Sequence, residues 1–186
     1  RKKFIESVNN GRATWDMVRE LTGTFTSFAD QKKALSLLAD LGAKFPENPF
    51  FPAGQAALAV AQDDLERAAQ LYQQSIDIRP NLPALKGIVS IALAREQADR
   101  ALEALRVVEP IFTGWPEFLL VQAQALEAAG RIDEAASTYE RLLMLNPASM
   151  VAANNLAMLL LTSQSLAEES KPAPLALTER FVDSRS

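Results

Sequence analysis

The chain has 186 residues, of which 48% are hydrophobic, and its formal net charge is −4 with a pI of about 5.0. This acidic balance argues against a nucleic-acid partner, because nucleic-acid binding needs a basic face. The chain contains no cysteine and no histidine. Their absence excludes disulfides, catalytic sites built on cysteine or histidine, and the common zinc sites. Apolar runs are short, as in Leu156 to Leu161, so we expect no insertion into a membrane.

The first ten residues, RKKFIESVNN, predict a short helix that ends at Asn10-Gly11. We interpret its three basic residues as a solvated helix end. The first predicted helical hairpin spans residues 14–46, with Thr14 as a candidate N-cap. Its second helix is expected to end at Phe45-Pro46, since proline cannot continue a helix.

The second predicted hairpin spans residues 49–80, and Asp63-Asp64 mark its turn. We interpret this acidic pair as charge that suits the positive end of a helix dipole, not as a catalytic pair. The third hairpin spans residues 82–113. Its second helix is expected to end early, at Pro110, and a loop that includes Phe112 is expected to follow.

The fourth predicted hairpin, residues 116–147, has the clearest pattern. Gly130 is expected to end its first helix, because glycine adopts positive φ without strain. Asp133 and Glu134 are expected to open its second helix, and Pro147 stops it. Gln122 departs from the pattern, since a large apolar residue is expected where it stands.

The fifth predicted hairpin spans residues 150–183. Its first helix continues through Leu156 to Leu160, and a polar segment from Ser163 to Lys171 stretches its turn. A last helix is expected from about Ala173 to Asp183. The sequence begins at Arg1 rather than at methionine and ends at Ser186 before a polar cap is visible, so it predicts a piece of a longer protein.

An alanine recurs early in each second helix at intervals of 34, 33 and 34 residues: Ala34, Ala68, Ala101 and Ala135. With the terminating prolines, this period resembles the tetratricopeptide-repeat family. The resemblance implies an all-α, right-handed solenoid of about five helical hairpins, forming a single domain over residues 1–186. We expect the small alanines to allow close approach between helices.

In the tetratricopeptide-repeat family the first helix of each pair lines a concave groove that holds a peptide or a partner helix. The resemblance therefore implies protein binding without catalysis and without a cofactor. Lys86 alone cannot form the family's carboxylate clamp, so apolar and amide contacts are expected to hold the ligand. The groove candidates are Phe50, Ala53, Ala57, Lys86, Ser90, Glu117, Leu120, Gln124, Glu127, Asn154 and Met158.

Several interpretations stay open at this stage. The chain could be a non-catalytic recruiting arm of an enzyme such as a glycosyltransferase. It could also be a self-associating spacer, a homodimer paired through the apolar helix Val151 to Leu161. Asn154-Asn155 could contact a ligand or bond internally to a neighbouring loop. Trp15, Phe112 and Trp115 are expected to be core residues rather than binding anchors.

The segment Asn154 to Leu161 (NNLAMLLL) also resembles tetratricopeptide proteins of bacterial exopolysaccharide and PEP-CTERM-type export systems. That resemblance implies a bacterial envelope protein. Cysteine usage fits the periplasm and the cytoplasm equally, so composition leaves the compartment open.

Overall fold

The computed structural model of the protein describes Ser7, residues 12–23 and residues 28–162. The predicted N-terminal helix therefore falls, except for Ser7, outside the described residues. The polar turn from Ser163 to Lys171 and the helix predicted from Ala173 to Asp183 also lie outside them.

The described residues form α-helices joined by turns and contain no strand, which confirms the predicted all-α solenoid of helical hairpins. Short turns reverse the chain between most successive helices. The nine helices of the described residues are α1 (Trp15–Gly23), α2 (Phe28–Lys44), α3 (Phe50–Ala61), α4 (Leu65–Ile78), α5 (Leu82–Ala94), α6 (Ala98–Phe112), α7 (Pro116–Ala128), α8 (Ile132–Leu145) and α9 (Met150–Thr162).

The chain divides into two compact units, Arg1–Arg95 (unit 1) and Glu96–Ser186 (unit 2). The boundary falls inside the third predicted hairpin, residues 82–113. The organisation of residues 1–186 as a single domain stays a prediction.

The four recurring alanines are completely buried in the structure. Ala34 and Ala68 lie in the cores of unit 1, whereas Ala101 and Ala135 are buried in unit 2. A methyl side chain lets helix axes approach each other closely, because it keeps little volume between the two backbones. The repeat seen in the sequence is therefore a repeat of close packing positions.

Gly130 ends α7 as predicted, with φ of +71°. Its N–H donates to the carbonyl of Glu127 at 3.0 Å, and the N–H of Arg131 donates to the carbonyl of Leu126 at 2.9 Å. These two bonds form a Schellman motif, which satisfies carbonyls that a helix end leaves free.

Side chains cap the N-termini of several helices. The Thr14 hydroxyl accepts a hydrogen bond from the N–H of Met17 at 3.5 Å, which supports the predicted N-cap. Asp64 accepts in the same way from the N–H of Arg67 at 3.1 Å, so its carboxylate opens α4. Capping bonds of this kind satisfy donors that the first helical turn leaves free.

A buried polar network supports the hairpin junctions of unit 1. The amide of Asn81 caps α5 and also donates to the hydroxyl of Ser75 at 3.0 Å. That hydroxyl donates in turn to the carbonyl of Pro49 at 2.7 Å. Asn48 donates to the carbonyl of Ala13 at 3.0 Å, across 35 residues of sequence. The buried side chains of this network, Asn48, Ser75 and Asn81, therefore each have a partner, as a low-dielectric interior requires.

The expected early end of α6 at Pro110 is wrong, because the helix continues to Phe112. Pro110 stands on the exposed side, only two residues from the helix end. Phe112 is 5% exposed and its ring stacks on Phe118 with centroids 6.1 Å apart. Burial of this ring accounts for the two additional helical residues, since it offsets the hydrogen bond that the proline cannot donate.

Candidate partner-binding site

Tyr139 of α8 joins the two helices that pack beside it in unit 2. Its hydroxyl donates to Oε2 of Glu127 on α7 at 3.0 Å and accepts from Nδ2 of Asn155 on α9 at 3.0 Å. The residue is fully buried, and burial raises the pKa of Tyr139 well above its ordinary value. Because the phenol keeps its proton, this bridge fixes α7 and α9 next to each other.

The open question about Asn154-Asn155 is answered differently for the two residues. Asn155 makes the internal bond to Tyr139, a residue of a helix rather than of a loop. Asn154, the preceding residue of α9, is exposed. Only Asn154 therefore stays available as a ligand contact.

One side of α9 is largely apolar and is exposed in the part of the chain that the structure describes. Val151 is 51% exposed, Met158 is 60% exposed and Leu161 is 70% exposed. Asn154 stands between them, so the four residues follow each other at intervals of three, four and three. The opposite side of α9 is buried in the core of unit 2 through Ala152, Ala153, Leu156, Leu159 and Leu160.

One side of α7 carries the same spacing 34 residues earlier. Glu117 is exposed, whereas Leu120, Gln124 and Glu127 are half-buried. Helices α7 and α9 contain no lysine or arginine, so these two glutamates are the only formal charges on the pair. We call the surface the α7–α9 face: Glu117, Leu120, Gln124, Glu127, Val151, Asn154, Met158 and Leu161.

The candidates predicted in unit 1 fall into two groups. Lys86 and Ser90 are exposed one turn apart on α5. Phe50 is half-buried, with its ring centroid 6.5 Å from that of Trp15, and Ala53 is completely buried. Phe50 and Ala53 therefore contribute to packing, Ala57 is half-buried, and a ligand-binding role for any of these residues stays a prediction.

The aromatic residues predicted to be core differ in their burial. Phe112 is buried, and Trp15 is half-buried against the core of unit 1. Trp115 is 51% exposed, although its ring meets that of Phe112 edge-on at 5.5 Å. Trp115 is therefore only partly a core residue.

A cleft of 700 Å³ lies between α6 and α8 in unit 2 and was not predicted from the sequence. Four of its eight charged side chains pair with one another, Arg106 with Glu103 at 2.8 Å and Arg131 with Glu134 at 2.6 Å. Gln122 lies in this cleft and donates to Glu109 at 3.3 Å, whereas its own buried oxygen has no partner among the described residues. The one sequence signal for this cleft is Gln122 itself, a polar residue where a large apolar one is expected.

The described residues contain neither a metal-binding cluster nor a membrane-spanning helix. No group of three or more acidic side chains lies close enough together to hold a metal ion in that part of the chain. None of its helices combines the length and the apolar character needed to cross a membrane.

Comparison with known proteins supports the resemblance of this chain to the tetratricopeptide-repeat family. Residues 116–159, which contain α7, α8 and most of α9, match the family model described as tetratricopeptide repeat. No curated protein sequence matches the chain.

Solved structures of tetratricopeptide proteins share the fold at low sequence identity. MamA 41-end from Desulfovibrio magneticus RS-1 has 15% identity and a TM-score of 0.63, with 91% of this chain and 92% of that chain covered. YrrB, described as a TPR protein with an unusual peptide-binding site, has 14% identity and a TM-score of 0.62, with 97% and 91% covered. The first TPR of Spaghetti (RPAP3), bound to the HSP90 peptide SRMEEVD, has 21% identity and a TM-score of 0.57, with 64% and 94% covered.

Proposed function

We propose that this protein is a non-catalytic interaction scaffold that binds a peptide or a partner helix on the α7–α9 face. The exposed apolar side chains of α9 are the observation that carries the proposal. Large apolar side chains normally lie inside a protein when they are arranged in a contiguous stripe, and an exposed stripe marks a binding surface.

The stripe offers enough apolar surface to contribute to binding. Fully burying one large apolar side chain contributes roughly 1.5–3 kcal/mol, and Val151, Met158 and Leu161 each keep more than half of their surface exposed. The Tyr139 bridge holds the two helices in place before a partner arrives. A surface that is already ordered loses less conformational entropy on binding.

Two of the similar proteins bind peptides, YrrB at an unusual peptide-binding site and the first TPR of Spaghetti in complex with an HSP90 peptide, and this supports a binding role for the fold. A recruiting arm of a larger enzyme would use the same surface and stays compatible with the proposal. The assignment to a bacterial exopolysaccharide export system rests on the segment Asn154 to Leu161 alone and remains a hypothesis.

Site-specific photo-crosslinking tests the proposal. We would place p-benzoylphenylalanine at position 158 on the α7–α9 face, and at position 140 as an exposed control on α8. Irradiation in cells is expected to give a discrete protein adduct from position 158 and none from position 140. The proposal fails if position 158 gives no adduct, or if both positions give the same adducts.

A further inference from the structure

We propose that the partner of the α7–α9 face is an amphipathic helix with basic residues along one edge. This inference rests on the proposed function and specifies the chemistry of its partner. The apolar edge of the partner helix packs on α9, and its lysine or arginine side chains meet the glutamates of α7.

The spacing of the exposed residues favours a helical partner over an extended one. Val151, Asn154, Met158 and Leu161 follow a three–four–three pattern, which is the pattern of a seam that receives another helix. A single asparagine in such a seam sets the register of the partner, because its amide seeks a hydrogen bond at one position. An extended segment repeats every two residues and matches no such spacing.

The charges of the face select a basic partner. Glu117 and Glu127 are its only charged side chains, and neither forms an ion pair among the described residues. Glu127 accepts from Tyr139 through Oε2, so its second carboxylate oxygen is left for a further donor. Ammonium and guanidinium groups supply charge-assisted hydrogen bonds to such an oxygen.

The positions of the two glutamates also indicate the spacing of the basic residues on the proposed partner helix. Glu117 and Glu127 are ten residues apart on one helix, which corresponds to about 15 Å along its axis. Leu120 and Gln124 occupy the uncharged stretch between them. A partner helix that runs along α7 therefore meets them with basic residues about ten positions apart and an apolar stretch between those positions.

The same charges argue against a second copy of this chain as the occupant. Two α7–α9 faces brought together would place glutamates opposite an equally acidic surface with no lysine or arginine. Like charges in an interface oppose association, and here no basic side chain offsets them. An acidic peptide is disfavoured for the same reason.

Three designed peptides test the inference with the full chain. Each is an 18-residue amphipathic helix with the same leucine seam, and two edge positions ten residues apart carry lysine, glutamine or glutamate. Fluorescence anisotropy at low ionic strength is expected to show the lysine peptide binding about tenfold tighter than the glutamate peptide. Added salt is expected to reduce this difference, since it screens exposed charges.

Charge reversal on the protein tests the same inference from the other side, and a charge reversal outside the face is its matched control. The double variant Glu117→Lys/Glu127→Lys is expected to prefer the glutamate peptide, whereas Glu140→Lys on α8 is expected to keep the original preference. Equal binding of all three peptides, or an unchanged preference in the double variant, would overturn the inference. In that outcome an adduct from position 158 would still leave the proposed function standing.

Two other results would also overturn the inference. One is a dimer, seen by sedimentation velocity, that Met158→Asp disperses, because the occupant would then be a second copy. The other is an intramolecular crosslink from position 158 to residues 163–186, because the chain would then cover its own face. Failure of all three peptides to bind rejects the helix as partner.

Discussion

Asn155 on α9 donates a hydrogen bond to the hydroxyl of Tyr139 on α8, and this hydroxyl donates onward to Glu127 on α7. One phenol oxygen of α8 thus connects the two helices, α7 and α9, that carry the candidate site. The bridge has a structural role, but it also positions the glutamate that the proposed partner would meet.

Removing this hydroxyl is expected to loosen the α7–α9 face. Tyr139→Phe should lower the free energy of unfolding by about 1 kcal/mol, because two polar side chains lose a shared partner. Chemical denaturation measures this change. Tyr72→Phe is the matched control, since that hydroxyl makes no hydrogen bond among the described residues, and its effect should stay within about 0.5 kcal/mol. Equal losses in both variants would contradict a specific role for the bridge.

The two tyrosines also predict how stability depends on alkaline pH. Burial raises the pKa of both Tyr72 and Tyr139 in the folded protein. The unfolded chain therefore loses these protons first, so their contribution is complete below about pH 10 and declines as the pH rises further. The decline per tyrosine is at most about 1.4 kcal/mol per pH unit.

Denaturation between pH 9 and pH 11 checks this pH dependence. The double variant Tyr72→Phe/Tyr139→Phe removes both tyrosines of the chain. We expect its stability to fall less steeply over this range than that of the unmodified protein. Parallel curves for the two proteins would show that other groups cause the alkaline loss.

Gly87 on α5 packs directly against the ring of Tyr72 on α4. A Cβ atom at Gly87 would overlap the ring of Tyr72, which is 7% exposed and has little room to move. Gly87→Ala should therefore destabilise unit 1 by roughly 1–3 kcal/mol, as overpacked cores do. Thermal unfolding followed by circular dichroism measures the change.

Gly42→Ala is the control for this prediction. The new Cβ atom would lie 3.7 Å from the Cβ atom of Phe51, an ordinary contact. Alanine is favoured over glycine inside a helix by about 0.5–1 kcal/mol, so this variant should be slightly more stable. Destabilisation of both variants to the same extent would argue against a specific overlap at Tyr72.

The features that depend on one stretch of sequence could be predicted, whereas those that depend on packing between distant residues could not. The helical periods, the alanines and Gly130 follow from one stretch of chain at a time, and the described residues form the helices that these signals indicate. The extension of α6 past Pro110 depends instead on burying Phe112 against Phe118. The bond between Asn155 and Tyr139 likewise depends on the packing of two helices, so the sequence left it as one of two alternatives.

Gln122 was only partly predictable. The sequence showed that a polar residue stands where an apolar one is expected, but it did not show the contact with Glu109. Its amide must turn Nε2 towards the Glu109 carboxylate, and this orientation leaves Oε1 buried without a partner among the described residues. Gln122→Leu removes that oxygen and restores the apolar residue expected at this position. Glu109 is half-buried and can exchange its lost partner for water.

We therefore expect Gln122→Leu to stabilise unit 2 by about 1 kcal/mol, because an unsatisfied buried acceptor costs about that much or more. Chemical denaturation of the variant beside the unmodified protein measures the difference. Gln122→Ala removes the same oxygen but leaves a cavity, so it separates the polar effect from the gain in packing. A loss of stability in Gln122→Leu would show that a water molecule or a ligand in the cleft satisfies Oε1 in solution.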